Sequence, residues 1–359
     1  NTDNLSLTDR WPYIDDISCS GLICTEIEDN DAYRFNVTSI GSYNYTIQEF
    51  TVPCNYEIDY SGIVNMTDNV LNCENGYIIN ITTKDVVFDC QGYTINGTVS
   101  VGIYVENVDN VTIQNCNINI TGNHGVVYTS SSNGTIDNNN VSVDNEYGIY
   151  LTSSADNTIS NNDVSANNWG IYIRTSSDNN TISYNDVSAD NDYGINIVSS
   201  DYNNITNNDV SANNSGIYIK TSSDNNISNN IISTDEDYGI YLNSSSNNSI
   251  TNNNISTDED YGIYLNSSSN NNITENDVDA TEFGISLESS SDNNKITEND
   301  INVVNDYGIN LESSSGNNIT ENDNDVLNYG INLESSSDNN IIKNNISTGD
   351  NNGINLESS

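Results

Sequence analysis

The segment Gly239–Tyr261, GIYLNSSSNNSITNNNISTDEDY, holds one complete copy of the unit from which most of this chain is built. Ile240 and Leu242 lie two positions apart, which is the spacing of side chains on one face of a β-strand. Ile250 and Ile255 mark two more short strands, and the Ser/Asn clusters between them have the composition of turns. The unit therefore predicts three short strands joined by three turns, with no helical pattern.

The same unit recurs along the chain at intervals of 22 to 24 residues. Its most regular mark is a Gly followed by Ile or Val, at Gly102, Gly125, Gly148, Gly170, Gly194, Gly216, Gly239, Gly262, Gly284, Gly308, Gly330 and Gly353. One unit cannot bury its own apolar face, so neighbouring units must stack. The repeat therefore predicts an all-β solenoid with an aliphatic core along its axis.

Two Asn positions also recur once per unit, and we expect stacked, hydrogen-bonded amides there to fix the register. The first set lies at Asn157, Asn179, Asn203, Asn225, Asn248, Asn271, Asn293, Asn317 and Asn339. The second set lies at Asn162, Asn185, Asn208, Asn230, Asn253, Asn276, Asn299, Asn322 and Asn344. The two 24-residue units are expected to place their extra residue after the first Asn, near Thr181 and Lys295.

An aromatic residue precedes the Gly in most units, and the lone His124 takes the same position once. The aromatic members are Tyr147, Trp169, Tyr193, Tyr238, Tyr261, Phe283, Tyr307 and Tyr329, and Ser215 interrupts them. A row of rings can bind sugar, or it can shield the corner of a solenoid by stacking. The length of the row favours shielding.

Charge excludes several classes of partner. The chain has 52 acidic and 7 basic residues, for a formal net charge of −45. So few basic residues cannot build a surface for nucleic acid or for anionic lipid. Low apolar content with high net charge usually indicates disorder, but a fixed register contradicts it here. No apolar run approaches the ~20 residues of a membrane span.

The unit, written G-I-x-L-x-S-S-x-x-N-x-I-x-x-N-x-V, resembles the repeat of the NosD-like family, which belongs to the pectin-lyase-like right-handed β-helices. The segment 86–95, VVFDCQGYTI, resembles the opening turns of archaeal surface proteins of that family. The resemblance covers about residues 76–359 and implies a right-handed parallel β-helix of about 12 turns. Residues 1–75 lie outside it and are predicted to form a small disulfide-rich N-terminal β cap. The fold serves lyases, hydrolases, epimerases, adhesins and passive surface proteins, so it does not assign a function.

All six Cys lie in the first third of the chain, which favours disulfides and an oxidising compartment. Cys90 and Cys116 each lie fourteen residues after a Gly, at the second Asn position of adjacent units. Stacked strands are ~4.8 Å apart, within reach of a disulfide, so we predict a Cys90–Cys116 bond. Four Cys allow three connectivities, of which we favour Cys19–Cys24 with Cys54–Cys73.

The sequence also contains many Asn-x-Ser/Thr triplets. An Asn- and Ser-rich chain forms them by chance, but together with the Cys pattern they predict N-glycans at several sites. The predicted sites are Asn36, Asn44, Asn65, Asn80, Asn96, Asn140, Asn204, Asn226, Asn254, Asn272, Asn318 and Asn345. Those that directly follow an Asn ladder position are expected to point outward in rows.

We predict no catalytic residue and no enzyme activity, because the sequence shows no unique charged cluster. Arg174 and Lys220 share a unit position two turns apart and could hold an anion, although a surface charge pair is the simpler interpretation.

Copper, which the NosD name suggests, lacks a ligand set, since His124 and Met66 are the only His and Met. Four glutamates share one position in the last four units, as a candidate Ca²⁺ ladder or a solvated acidic face: Glu288, Glu312, Glu334 and Glu357.

These observations predict an extracellular structural glycoprotein, a rod-like cell-surface or fibre component that assembles head-to-tail into filaments. Its expected partners are other copies of itself and cell-surface glycans. The alternative is a carbohydrate-binding or carbohydrate-processing β-helix protein. The acidic, Lys-poor composition is typical of archaeal surface proteins. The chain stops part-way through a unit after Gly353, which is expected to be either a joint with the next copy or a cut from a longer protein.

Overall fold

The computed structural model describes residues 52–349 and 351–358 and the backbone of three earlier strands, β1 (Cys24–Asp29), β2 (Ala32–Val37) and β3 (Ile47–Phe50). Strands β1 and β2 pair antiparallel. The predicted Cys19–Cys24 bond and the sequon at Asn44 lie outside the described residues, as does the side chain of Asn36.

Three long parallel sheets make up the rest of the described chain, and each turn contributes one strand to each sheet. Sheet 1 consists of β4 (Tyr56–Ile58), β7 (Tyr77–Ile81), β10 (Val101–Glu106), β13 (His124–Thr129), β16 (Tyr147–Thr152), β19 (Trp169–Arg174), β22 (Tyr193–Val198), β25 (Ser215–Lys220), β28 (Tyr238–Asn243), β31 (Tyr261–Asn266), β34 (Phe283–Glu288), β37 (Tyr307–Glu312), β40 (Tyr329–Glu334) and β43 (Ile354–Glu357).

Sheets 2 and 3 are built from shorter strands. Sheet 2 consists of β3, β5 (Gly62–Met66), β8 (Val86–Asp89), β11 (Val111–Gln114), β14 (Thr135–Asp137), β17 (Thr158–Ser160), β20 (Thr181–Ser183), β23 (Asn204–Thr206), β26 (Asn226–Ser228), β29 (Ser249–Thr251), β32 (Asn272–Thr274), β35 (Lys295–Thr297), β38 (Asn318–Thr320) and β41 (Asn340–Ile342). Sheet 3 consists of β6 (Val70–Glu74), β9 (Thr94–Thr98), β12 (Asn117–Ile120), β15 (Asn140–Val143), β18 (Asp163–Ala166), β21 (Asp186–Ala189), β24 (Asp209–Ala212), β27 (Ile231–Thr234), β30 (Asn254–Thr257), β33 (Asp277–Ala280), β36 (Asp300–Val303), β39 (Asp323–Val326) and β42 (Asn345–Thr348).

The predicted fold class is confirmed: the molecule is an all-β, right-handed parallel β-helix of about 13 turns. In the unit that begins at Gly239, the inward side chains of Ile240, Leu242, Ile250 and Ile255 are fully buried. Equivalent aliphatic residues stack above and below them, turn after turn, so one continuous core runs along the axis. Within the described residues, no helical segment reaches the length and hydrophobicity of a membrane span.

The helix begins earlier than residue 76, where the sequence placed the end of the cap. Strands β4, β5 and β6, which span residues 56–74, already pair with β7, β8 and β9 in sheets 1, 2 and 3. Their apolar side chains are buried in the same core, as at Ile58, Val64 and Val70. The boundary was misplaced because this turn has the strand spacing of the repeat, but its Gly62-Ile63 pair lies on sheet 2 instead of sheet 1 and the Asn positions of the repeat are missing.

The second Asn ladder lies inside the helix at the turn between sheets 2 and 3, as predicted. At each step the side-chain oxygen of one Asn accepts from the backbone N–H and the amide nitrogen of the Asn one turn before it. The amide nitrogen of each Asn also donates to a backbone carbonyl on the preceding turn of the helix, as Asn253 does to Ile227 at 3.0 Å. Each buried amide is therefore satisfied, which removes the cost of burying it.

The first Asn ladder was predicted correctly except at its two irregular members. Asn180 and Asn294, and not Asn179 and Asn293, accept from the preceding ladder residue, at 2.8 and 2.7 Å. The extra residue of the 24-residue units lies before the ladder, where two successive residues adopt left-handed backbone, as at Ser289 and Ser290. Counting forward from the Gly therefore stopped one residue short. A further ladder of buried serines, from Ser131 to Ser336, runs parallel to the first Asn ladder, three residues before it in each turn.

Two disulfides lie at the N-terminal end of the described helix. Cys90 bonds Cys116 with their Cα atoms 4.7 Å apart, and Cys54 bonds Cys73 with their Cα atoms 5.5 Å apart. Both pairings are those that the sequence predicted. The backbone N–H of Cys116 donates to the side-chain oxygen of Asn139 at 3.0 Å, so Cys116 does precede the second Asn ladder in register.

Candidate functional site

The outer face of sheet 1 carries three columns of side chains that run along the rod. In each strand the Gly and the residue after it are both buried, and inward and outward residues alternate from there on. The position before the Gly, and those two and four residues after it, therefore face outward. We call these the ring column, the middle column and the edge column. In the strand Tyr307–Glu312 their members are Tyr307, Asn310 and Glu312.

The ring column is continuous over most of the rod, as its sequence predicted. Adjacent rings stack nearly parallel, with centroids 4.7 Å apart for His124 and Tyr147 and for Tyr147 and Trp169. Tyr261 and Phe283 stack in the same way at 4.6 Å. Because each ring face covers its neighbour, the column presents ring edges to solvent. Over these turns its main effect is to shield the corner, as expected from its length.

The middle column contains a second set of rings that the sequence analysis missed. Its aromatic members are Tyr104, Tyr150, Tyr172, Tyr218, Tyr241 and Tyr264. They pack against the ring column: the centroids of Trp169 and Tyr172 lie 4.3 Å apart, edge to face. The signal was present in the repeat, because the residue between the inward Ile and Leu must point outward.

After Tyr264 the middle column changes from large rings to short polar residues, which are shorter than the side chains on either side. We call this strip the trough, and the first three residues of its floor are 0%, 7% and 5% exposed. Its floor consists of Ser286, Asn310, Asn332 and Asn355. One wall is the edge of the ring column at Phe283, Tyr307 and Tyr329. The other wall is the glutamate column Glu288, Glu312, Glu334 and Glu357. The floor side chains are hydrogen-bonded to one another, since Asn332 donates to Asn310 at 2.9 Å and Asn310 donates to Ser286 at 3.1 Å.

Tyr264 closes the N-terminal end of the trough. Its ring contacts those of Tyr241 and Tyr261, and its other side faces the floor at Ser286. The Tyr264 hydroxyl donates to Glu288 at 2.9 Å. Burial, together with this hydrogen bond, raises the pKa of Tyr264 far above its usual value, so the phenol stays protonated. The pair therefore offers one hydroxyl and one carboxylate at a ring face.

The glutamates of the predicted calcium ladder do lie in one column of this wall. Among the described residues, however, no group of three or more His, Cys, Asp or Glu side chains is placed to hold a metal ion. Ca²⁺ binding by the column stays a prediction, which a melting-temperature titration with Ca²⁺ after EGTA treatment would test. Of the residues considered for copper, Met66 is buried in the core and His124 lies in the ring column, where burial lowers its pKa.

The predicted glycosylation sites in the described residues differ in exposure. Asn140, Asn254 and Asn345, which follow the second ladder, are exposed on sheet 3. Asn204, Asn226, Asn272 and Asn318, which follow the first ladder, are half-buried on the outer face of sheet 2. Asn65, Asn80 and Asn96 are also half-buried. Outward orientation is therefore as expected for both rows, and occupancy stays a prediction.

Comparisons with known proteins agree with this architecture. The family model described as periplasmic copper-binding protein (NosD) matches residues 185–307, and the model described as right handed beta helix region matches residues 101–233. No curated protein sequence matches the chain. The Dettilon tailspike protein is similar in structure, with a TM-score of 0.55 and 16% identity, over 82% of this chain and 62% of the tailspike chain. This chain thus spans less than two thirds of that tailspike.

Enzymes are among the similar structures. The periplasmic alginate epimerase AlgG matches with a TM-score of 0.46 and 12% identity, over 88% of this chain and 86% of its own. The Azotobacter vinelandii mannuronan C-5 epimerase AlgE6 A-module matches with a TM-score of 0.43 and 12% identity, over 88% and 89%. Our prediction that the protein has no enzyme activity, which we drew from the lack of a unique charged cluster in the sequence, is therefore wrong. The similarity shows a shared fold and assigns no reaction.

Proposed function

Because this chain carries the NosD-like right-handed β-helix repeat, we propose that it is a carbohydrate-binding rod whose binding site is the trough on sheet 1. The observation that carries the proposal is the change in the middle column after Tyr264. Rings there would make the face flat, as they do further N-terminal. Ser286, Asn310 and Asn332 instead form a row of short polar side chains along one wall of ring edges.

The residues of the trough suit the two sides of a sugar. A pyranose has apolar C–H faces that pack on aromatic rings, and hydroxyls that bind carboxylates and amides. Tyr264 offers a ring at the closed end, and Glu312 and Glu334 offer exposed carboxylates one turn apart. Since the trough is acidic and the whole chain carries a formal charge of −45, a neutral polysaccharide is favoured over a polyanion.

Affinity electrophoresis in gels that contain neutral polysaccharides, such as dextran, galactomannan or xyloglucan, tests this proposal. At least one polymer should retard the protein. Asn310→Tyr, which fills the floor with a ring, should abolish the retardation and keep the fold. Tyr184→Asn is the matched control, because Tyr184 is 63% exposed on a different part of the surface. Retardation that survives Asn310→Tyr, or that Tyr184→Asn removes, would contradict a site in the trough.

A second candidate function, processing of the bound carbohydrate, is favoured by the Tyr264–Glu288 pair. The protonated phenol can donate a proton to a sugar held at the closed end, and the carboxylate can take one from it. Incubation of the protein with each polymer that retards it, followed by product analysis, tests this function. Tyr264→Phe should remove turnover and retain binding. Equal turnover by Tyr264→Phe would exclude the pair.

We also propose that the protein carries N-glycans and assembles head-to-tail. Two disulfides are typical of proteins from oxidising compartments, which supports a location outside the cytoplasm and permits N-glycans on the exposed Asn140, Asn254 and Asn345. Glycopeptide mass spectrometry of the native protein should find these sites modified. Head-to-tail filaments should appear in electron micrographs across a dilution series, with an axial repeat near the length of one rod. Unmodified sites or discrete rods would remove the respective proposal.

A further inference from the structure

The rings of the ring column and the middle column form one connected network along sheet 1. From His124 to Tyr329, each ring contacts the next with centroids no more than 6.0 Å apart, which is within the range of aromatic contacts. Tryptophan and tyrosine are the aromatic side chains that lose an electron most readily, and rings in contact exchange electrons rapidly. A connected set of them can therefore pass an oxidising equivalent along the rod.

The network narrows to a single path in the middle of the rod. The middle column lacks a ring at Asn196, and the ring column lacks one on the next turn, at Ser215. The path crosses between the columns at this point: Tyr193 contacts Tyr218 with centroids 4.9 Å apart, and Tyr218 contacts Tyr241 at the same distance. Among the described residues no other ring contact joins the two halves, so every path between them passes through Tyr218.

Tyr172, in contrast, lies on a side branch of the network. Its ring contacts Trp169 with centroids 4.3 Å apart, but Trp169 also contacts Tyr193 directly, at 6.0 Å. A path from Trp169 to Tyr218 therefore does not need Tyr172. The two tyrosines Tyr172 and Tyr218 occupy the same column and are almost equally buried, at 6% and 9% exposed. The chain thus provides a matched pair, one ring that the path needs and one that it does not.

The rings of this path are shielded from solvent, whereas two other tyrosines are not. Tyr218 and Tyr264 are 9% and 8% exposed, but Tyr184 and Tyr202 are 63% and 59% exposed. Within the part of the chain that the structure describes, no ring contact joins Tyr184 or Tyr202 to the network. A shielded ring is protected from reaction with solutes, so a charge on it can move to the next ring.

Tyr264 has the feature expected at the end of such a path. A phenol that loses an electron becomes a strong acid, so the oxidised ring is stable only if its proton is taken up. The Tyr264 hydroxyl donates to Glu288 at 2.9 Å, and in the described part of the chain it is the one hydroxyl of the network that donates to a carboxylate. Glu288 can take that proton. The Tyr264 ring is reached from Tyr241, with centroids 5.0 Å apart.

We propose that this network is a relay for oxidising equivalents that begins at Trp169 and ends at Tyr264. An oxygen-centred radical takes one electron from Trp169 and becomes an anion. An electron from Tyr264 then passes through the rings between them, four turns or ~19 Å along the axis, and restores Trp169. The Tyr264 proton moves to Glu288, which leaves a neutral tyrosyl radical beside a neutral carboxyl group. This relay does not depend on the proposed carbohydrate binding.

A flash experiment with the whole chain tests the relay by delivering the charge at one end. A ruthenium polypyridyl photosensitiser is attached to Asn123→Cys, because Asn123 is exposed and precedes His124, the first ring of the network. Tyr264 lies six turns away, ~29 Å, beyond contact with the label. Replacement of Tyr264 by 3-aminotyrosine, which is oxidised more readily than tyrosine, marks the arrival of the charge. Its radical has its own absorption and EPR signals, and these should appear after the flash.

Two variants separate the path through Tyr218 from other routes. Tyr218→Phe keeps a ring in place but removes the readily oxidised phenol, so it should lower the radical yield at position 264 at least tenfold. Tyr172→Phe is the matched control on the side branch and should leave the yield within twofold. Equal melting temperatures show that both variants are folded. Equal radical yields in the two variants, or no radical at position 264 with the natural Tyr218 in place, would overturn the relay.

A further variant tests the proton acceptor with the natural Tyr264 in place. The EPR signal of the Tyr264 radical is the part of the tyrosyl signal that Tyr264→Phe removes. Glu288→Gln cannot take the proton and should lower this signal at least tenfold, whereas Glu298→Gln, exposed between sheets 2 and 3, should not. An undiminished signal in Glu288→Gln would refute Tyr264 as the end of the relay. The assay contains no polysaccharide, so its failure is separate from a failure of carbohydrate binding.

Discussion

Replacement of Asn253 by Ala should destabilise this protein far more than replacement of its neighbour Asn254. Asn253 is 1% exposed and makes four side-chain hydrogen bonds. Its Oδ1 accepts from the backbone and side-chain nitrogens of Asn230, at 3.0 and 2.9 Å. Its amide donates to the oxygens of Ile227 and Asn276, both at 3.0 Å. At about 1 kcal/mol for each bond lost, and more for groups left buried and unpaired, the expected cost is about 3–6 kcal/mol.

The control uses the same chemistry one position along the chain. Asn254 is exposed on the outer face of sheet 3, so Asn254→Ala should change stability by no more than about 0.5 kcal/mol. Urea denaturation followed by circular dichroism measures both variants. A solenoid can also open locally, so hydrogen exchange of the backbone amide of Asn230 should be measured in parallel.

The comparison has a clear refuting outcome. If Asn253→Ala and Asn254→Ala unfold at the same urea concentration and exchange Asn230 at the same rate, the Asn ladder contributes no net stability. The hydrogen bonds would then only replace those that the amides make with water. The aliphatic core alone would have to set the register of the turns.

Three further predictions concern the core, the disulfide and pH. Gly239→Ala should lower the free energy of unfolding by about 1–3 kcal/mol or more, because the added methyl would collide with the side chain of Ile255. Gly353→Ala is the control and should lower it little, because the nearest atom to its added methyl is 3.6 Å away. Equal urea midpoints for the two variants would contradict this prediction. Loss of the Cys90–Cys116 bond, which closes a separation of 26 residues, should cost about 3–4 kcal/mol, measured as the urea midpoint of the double Ala variant. Burial and then neighbouring carboxylates raise the pKa of Glu282 above its usual 4.5 in the folded state, so the folded state binds this proton more tightly than the unfolded state does. Protonation of Glu282 therefore adds to the free energy of unfolding below pH 4.5, and this stabilisation is lost as the pH rises through the raised pKa. Calorimetry should find a higher melting temperature at pH 5 than at pH 7, and the reverse order would show that these carboxyls do not govern the pH dependence.

The repeat made the fold predictable because its period carries three independent signals. Two-residue spacing, as between Ile240 and Leu242, defines strands, and recurring Asn defines turns. The interval of 22 to 24 residues defines stacking. All three agree in every complete unit from Gly148 onward. The turn at residues 56–74 has only the first signal, and so its membership of the helix could not be found from the pattern.

The candidate site was harder to predict, because the residues that form it are departures from the repeat. The ring column was visible as a regular aromatic position, but regularity is what makes its rings cover one another. The trough arises where Tyr264 gives way to Ser286. A pattern search averages over such exchanges. The signal that would have found them is the identity of the single outward residue between two inward ones.

This distinction determines where specificity can reside on a rod built from one repeated unit. An outward position filled identically on every turn gives the same chemistry every ~4.8 Å, so it cannot fix a ligand at one place along the axis. Only a break in a column can do so. The middle column departs from rings at Val127, at Asn196 and after Tyr264. Basic residues, Arg174 and Lys220, border the position at Asn196, and the acidic Glu288 borders the position after Tyr264, so these two breaks differ in charge as well as in shape.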